Sequence, residues 1–225
     1  MLVKTKASHQ GSATFFFLFI ALSLQWVAAE SSLKQPVQQK QLSLGISNAS
    51  REVKQLLSRI LTTQNNENLP FVILDKTHAR VFVFNSIGLS QGTAPALIGF
   101  AVGDDGVAGI GDRPLASIRR EEKTTPAGRY VSSLDHNLAG NQILWVDYES
   151  AISLHSLVTG DPKEQRTKRL ESQSIDDNRI SFGCINVSAT FFQNVVMPTF
   201  KDTLGIVYIL PDSRAIQEVF SFYEP

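Results

Sequence analysis

The sequence holds one cysteine, Cys184, in 225 residues, so no disulfide can close within the chain. A lone thiol is either buried and inert or exposed and used. Excess charge of one sign is also missing, since 21 Lys and Arg face 21 Asp and Glu. With no basic run or patch, the electrostatic footprint of a nucleic-acid binder is excluded. Long apolar runs are absent. The longest, at residues 15–24, falls far short of the roughly 20 apolar residues that cross a bilayer. No internal period repeats, and strands and helices do not alternate as a doubly wound sheet requires. Of four histidines, His78, His136 and His155 lie beyond residue 29, too widely spaced for metal ligation with a single cysteine. Neither a metal nor an organic cofactor is expected. The stretch Gly106-Val107-Ala108-Gly109-Ile110-Gly111 lacks the order and the Gly-Lys-Ser/Thr ending of phosphate loops, and reads as a flexible loop.

What is present is a globular balance: 43% hydrophobic and 19% charged residues. Such a chain can bury a core without staples. Lys4 and Lys6 precede the apolar run, and Val27-Ala28-Ala29 supplies small residues at a cleavage position. Residues 1–29 therefore read as a signal peptide, which predicts export to the periplasm or cell envelope and no stable membrane span after cleavage. No cysteine follows the cleavage position, which argues against a lipoprotein.

Residues 30–69 read as a Gln- and Ser-rich linker at 31–47 followed by an amphipathic helix at 48–64. Val53, Leu56, Leu57, Ile60 and Leu61 recur at helical spacing, with Asn48 or Ser50 as N-cap. That face is expected to pack on the domain or on a protein partner. The main domain is expected over 70–212, with a tail at 213–225. Strands are predicted at 71–74, 79–84, 97–102, 129–131, 143–148, 151–154 and 205–210, and a short helix at 189–196. Many short strands with few helices predict a mainly β fold, a sandwich or partly closed barrel. Residues 158–179 form a polar excursion. Asp104-Asp105 and Asp176-Asp177 read as turn residues.

The segment Arg179-Ile180-Ser181-Phe182-Gly183-Cys184-Ile185-Asn186-Val187 stands out. A cysteine after glycine and before a helix would meet converging amides, which favour the thiolate and could hold an oxyanion. Equally, Cys184 can be a small buried residue between Phe182 and Ile185. A nucleophile needs a base. His78 falls in a predicted hairpin turn and His136 among loop residues. His155 ends an apolar strand beside Ser156, where a ring is held for orientation.

Three stretches together resemble the L,D-transpeptidase (YkuD-type) catalytic domain over residues 71–210: Thr125-Pro126-Ala127-Gly128-Arg129-Tyr130, His155-Ser156, and Ser181-Phe182-Gly183-Cys184-Ile185-Asn186. The resemblance implies a YkuD-like fold and a cysteine acyltransferase acting on peptidoglycan tetrapeptide stems. It makes Cys184 the nucleophile, His155 the base and the Ser156 carbonyl its orienting partner. The amides of Gly183 and Cys184 become the oxyanion donors, with Ser181, Phe182 and Asn186 in the substrate pocket. Phe182 departs from the family's usual histidine. The interval from His155 to Cys184 exceeds the usual one, which would make 158–179 a lid or loop over the cleft. Two other readings share the same residues. One is a retired domain that binds cell wall or scaffolds a partner through helix 48–64, the other an L,D-carboxypeptidase whose thioester is resolved by water.

Overall fold

The computed structural model describes residues 46–223. The expected signal peptide and nearly all of the linker lie outside the described residues. Helix α1 (Arg51–Thr63) begins where Ser50 Oγ accepts from Val53 N at 3.2 Å, and ends on Gln64 in the left-handed region. Its apolar stripe, Val53, Leu56, Leu57 and Ile60, is wholly buried against strand residues Phe71, Ile73, Phe82, Ile206 and Tyr208. Burying four such side chains is worth roughly 8 kcal/mol as an upper bound. The helix's apolar face is therefore filled by its own chain.

Ten strands follow: β1 (Phe71–Asp75), β2 (Arg80–Phe84), β3 (Ser90–Pro95), β4 (Ile98–Gly99), β5 (Gly128–His136), β6 (Gln142–Asp147), β7 (Ile152–Ser156), β8 (Arg179–Ser181), β9 (Ile185–Val187) and β10 (Leu204–Ile209). Eight form one sheet in the order β3-β2-β1-β10-β5-β6-β7-β9, and β4 pairs with β8. The sheet curls almost shut. After β3 the chain donates from Ala96 N to Ala79 O at 2.8 Å, then bridges Leu97 to Asn186 of β9. This mainly β, nearly closed sheet with short helices, preceded by an amphipathic helix, is the architecture expected.

Inside the curl, Val72, Leu74, Val81, Val83, Leu144, Leu154, Ile185, Val187 and Val207 meet Phe192, Val196 and Phe200. Those last three come from a continuous helical segment, α4 (Ala189–Phe191), a π turn (Phe192–Val196) and α5 (Met197–Phe200), longer than the helix predicted at 189–196. Strands β1 and β10 are apolar on both faces because each is sandwiched between this core and the one under α1. Phe220 and Tyr223 close the outer core. Among the described residues no helix is long and apolar enough to cross a membrane.

Other segments depart from prediction. β3 was not anticipated; it is a half-exposed edge strand containing Ser90, Gly92 and Pro95, a composition that hides a strand. Of the strand predicted at 97–102, only Ile98 and Gly99 pair with β8. His136 closes β5 rather than sitting in a loop. The stretch 106–111, predicted to be a flexible loop, runs into a 3₁₀ turn at Ile110–Asp112, and two more follow at Leu115–Ser117 and Arg120–Glu122.

The largest departure is electrostatic. Lys76, in the hairpin turn predicted around His78, and Asp104, read as a turn residue, are buried. Lys76 Nζ donates to Gly103 O at 2.6 Å, Asp104 Oδ1 at 2.9 Å and Thr125 O at 2.9 Å, which uses all three ammonium hydrogens. Asp212 Oδ2 lies 3.4 Å from Nζ, and Asp212 Oδ1 accepts from Arg179 Nη2 at 2.8 Å. Two cations and two anions thus balance inside the fold. Burial pushes the Asp104 carboxyl up, but backbone amides of Asp212, Arg214 and Ser213 and the Lys76 ammonium outweigh it and hold Asp104 well below the carboxylate range.

Removing one member leaves its partners charged and dry. Lys76→Met should lower the unfolding free energy by about 3–5 kcal/mol in urea denaturation; a change below 1 kcal/mol would refute the anchoring role. Because the folded Asp104 value is depressed, its stabilisation is present above about pH 4 and is lost as pH falls through the folded value. Asp104→Asn should flatten that acid limb of a pH–stability curve.

Candidate active site

Cys184 sits in a three-residue connection between β8 and β9, and its geometry is set by the backbone. Gly183 has φ +132°, and a Cβ there would lie 2.6 Å from both Thr124 O and Ile152 Cδ1. Only glycine fits. Gly183 O accepts from Thr125 Oγ1 at 2.8 Å, and the same hydroxyl accepts from Gly99 N at 2.8 Å. Ser181 Oγ donates to Cys184 O at 2.6 Å and accepts from Gly183 N at 3.0 Å. Asn186 Nδ2 donates to the same Cys184 carbonyl at 3.2 Å.

These contacts change several expected roles. Ser181 and Asn186 are 3% and 1% exposed, and both fasten the Cys184 carbonyl from within. The Gly183 amide is committed to Ser181, whereas Cys184 N–H has no acceptor among the described residues. One oxyanion donor remains where two were expected. Nor does a helix start at Cys184. Strand β9 intervenes, about 10 Å of extended chain, before Ser188 caps α4. The helix dipole, which fades within a turn, is therefore not what acts on the thiol.

What acts on it is β7. β7 and β9 run parallel with Leu154 opposite Ile185 and His155 opposite Asn186, which sets the imidazole beside the sulfur. His155 Nδ1 lies 2.8 Å from Ser156 O. A carbonyl only accepts, so Nδ1 carries the proton and Nε2 is left free as a base. Burial pushes the Cys184 thiol up, but His155 and contacts from Ser153 outweigh it and the net shift is downward. Burial pushes the imidazole down, yet the thiolate and the Ser156 carbonyl more than offset this and His155 is raised. Each charge stabilises the other, as in an imidazolium–thiolate pair.

His78 does not belong to the site; its Nδ1 pairs with Asp75 Oδ2 at 2.9 Å in the β1–β2 turn. His136 is exposed at the end of β5. The polar excursion folds into α2 (Arg166–Glu171) and α3 (Ile175–Asn178). Arg166 comes close enough to His155 for its charge to oppose the imidazolium.

Cys184 and Phe182 line a cleft of about 100 Å³ whose other wall includes Val107, Ile110, Arg113, Glu122 and Thr124. Sequence reasoning missed this wall. Its keystone is Glu122, which accepts from Arg113 Nη1 at 2.9 Å and Nη2 at 3.1 Å and from Arg119 N at 2.8 Å. Arg113 and Arg119 hold its carboxyl well below the usual range. Phe182, where a polar ring was expected, lies under Lys123 Nζ at 3.6 Å from the ring centroid. A groove with charged walls, containing Lys123, Arg120 and Asp176, lies beyond it.

No family model matches the chain, and no curated protein matches it. Among solved structures the chain is similar to an L,D-transpeptidase from Mycobacterium tuberculosis H37Rv, with 15% identity and TM-score 0.38 over 63% of this chain and 57% of that one. It is similar to an L,D-transpeptidase from Mycobacterium smegmatis at 14% identity and TM-score 0.38, covering 63% and 58%. A third is the L,D-transpeptidase (residues 123–326) from Xylanimonas cellulosilytica DSM 15894, at 15% and 0.35, covering 63% and 60%. The chain thus spans less than two thirds of each of these proteins.

Thr125→Val keeps the shape but strands the Gly99 amide and the Gly183 carbonyl in the interior. A loss of about 2 kcal/mol in unfolding free energy is expected, with faster amide exchange across residues 181–184. An unchanged exchange pattern would show that Thr125 does not pin the cysteine loop.

Proposed function

We propose that this chain is an exported cysteine acyltransferase of the L,D-transpeptidase type that acts on peptidoglycan stem peptides in the cell envelope. The observation that carries the reading is the parallel β7–β9 pair, which brings His155, oriented by Ser156 O, to Cys184. Three sequence stretches that resemble the same family add to it: the Thr125–Pro126 turn, His155-Ser156 and the cysteine segment.

In this mechanism His155 Nε2 takes the Cys184 proton. The sulfur attacks the carbonyl carbon between the third stem residue, a diamino acid, and the terminal D-Ala. A new S–C bond forms, and the carbonyl electrons move onto oxygen, which faces the unoccupied Cys184 N–H. The His155 imidazolium then protonates the departing D-Ala nitrogen as the C–N bond breaks, leaving a thioester. An amine from a second stem or a protein lysine attacks the thioester, gives its proton to His155 and releases the thiol. Water in place of the amine makes the same site a carboxypeptidase.

A second reading has its own support. A cleft of about 100 Å³ is smaller than the roughly 300 Å³ at the low end of small-molecule sites, and one amide of the expected pair is already bonded. Both features suit a domain that grips cell wall without turning it over.

Intact-mass analysis after incubation with a carbapenem and with a tetrapeptide stem separates the two. The transferase reading expects an adduct on Cys184, no adduct in Cys184→Ala, and at least a hundredfold slower acylation in His155→Ala, in the range of general-base contributions. A folded chain that takes no acyl group from either compound, yet sediments with insoluble peptidoglycan, would establish the wall-binding reading instead.

A further inference from the structure

Strand β7 carries a buried hydroxyl with an unusual partner. Ser153 is 5% exposed, and the one hydrogen-bond partner of its Oγ among the described residues is Cys184 Sγ, at 3.7 Å. Neighbouring Ile152 and Leu154 are buried apolar residues in the inner core. Ser153, between them in the strand, faces the other side, and a hydroxyl buried there is costly unless its proton has a good acceptor. A neutral thiol is a weak acceptor, whereas a thiolate is a strong one. Ser153 is thus fully satisfied only when Cys184 is ionised.

The sulfur has a second neighbour on the same strand's approach. Cys184 Sγ donates to Ala151 O at 3.6 Å. A carbonyl oxygen accepts the S–H proton but repels a thiolate. Along one edge the chain therefore presents Sγ with a carbonyl at Ala151, a hydroxyl at Ser153 and an imidazole at His155. Ser153 and His155 are alternate residues of β7 and face the same side, while Ala151 lies in the turn just before the strand, at φ +54°.

We propose that Ser153 is a positioning residue for the nucleophile: its hydroxyl turns to donate to the sulfur as the S–H proton leaves for His155. In the resting thiol the S–H points to Ala151 O. On ionisation the proton passes to His155 Nε2, no other bond changes, and the Ser153 O–H replaces the lost S–H contact with a charge-assisted one. The backbone N–H of Ser153 also faces the sulfur and favours the same state. This inference rests on the reading of Cys184 as a nucleophile and adds a residue that the motifs do not contain.

Other charged groups face the site from every side. His155 lies on β7, Arg113 and Glu122 stand across the cleft, Lys123 sits over Phe182, and Arg166 approaches His155 from α2. All remain in place when only Ser153 is changed.

The test is the pH dependence of iodoacetamide alkylation of Cys184, read by intact mass on the whole chain. Ser153→Ala and Ser153→Val remove the hydroxyl, and Ser153→Thr retains it in the shape of valine. The inflection should rise by about one unit in the first two, a tenfold loss of thiolate below it, and return towards the original value with threonine. Either hydroxyl-free variant decides the matter if its near-ultraviolet circular dichroism is native. An unchanged inflection in a native-like variant overturns the proposal, as does a shift that threonine fails to reverse. A chain that shows the shift but accepts no acyl group keeps this role for Ser153 and loses the transferase reading.

Discussion

One buried ammonium group ties the cysteine loop to the rest of the fold. Lys76 reaches from the β1–β2 turn into the interior and spends its three hydrogens on Gly103 O, Asp104 and Thr125 O. In a dry site these bonds hold strongly, and any unmade one is expensive. The Thr125 carbonyl thus fixed carries, on the same residue, the hydroxyl that holds Gly183 O. From Lys76 to the cysteine loop the link is a single residue long. Asp104 extends the link to the C-terminal segment through the amides of Ser213 and Arg214. The chemistry-bearing loop and the ends of the domain therefore share an anchor.

Much of this fold was legible because it follows from burial. The uninterrupted apolar run Phe71-Val72-Ile73-Leu74 and the closing run at Ile206-Val207-Tyr208-Ile209 read as strands, and both lie between two cores. The helical stripe of α1 was equally plain. What stayed hidden was whatever depends on partners far along the chain. Lys76 next to Asp75 has every mark of a solvated turn; its burial is decided by Asp104 and Asp212, to which no local pattern points. β3 was invisible because an edge strand does not have to be apolar on both faces.

The site was legible in its members more than in their tasks. His155 and Cys184 were paired by resemblance, and their contact arises from parallel pairing of β7 and β9 across the long excursion at 158–179. Ser181 and Asn186, expected to shape a pocket, both bond the Cys184 carbonyl from inside, a task no local pattern announces. The error over the helix has a simple cause. Ile185-Asn186-Val187 has β-branched residues alternating with a polar one, and that strand pattern separates the cysteine from the helical stretch. Ser153 carried no signal, because a serine in a strand is ordinary until its neighbour is known.

The closure of the sheet bears on how a peptide could approach the sulfur. β9 would be an edge strand of the large sheet, and a free edge beside the sulfur would invite an extended ligand to dock as one more strand. Here that edge is spoken for. Asn186 N and O are both bonded to Leu97, at 2.9 and 2.8 Å. In so short a strand, Asn186 is the residue whose backbone groups face away from β7. Under the proposed function, a peptide brought to Cys184 would be gripped by loops and side chains around the cleft, with its own backbone amides paired to something other than the sheet. Selectivity at this site is thereby handed to the least regular parts of the chain.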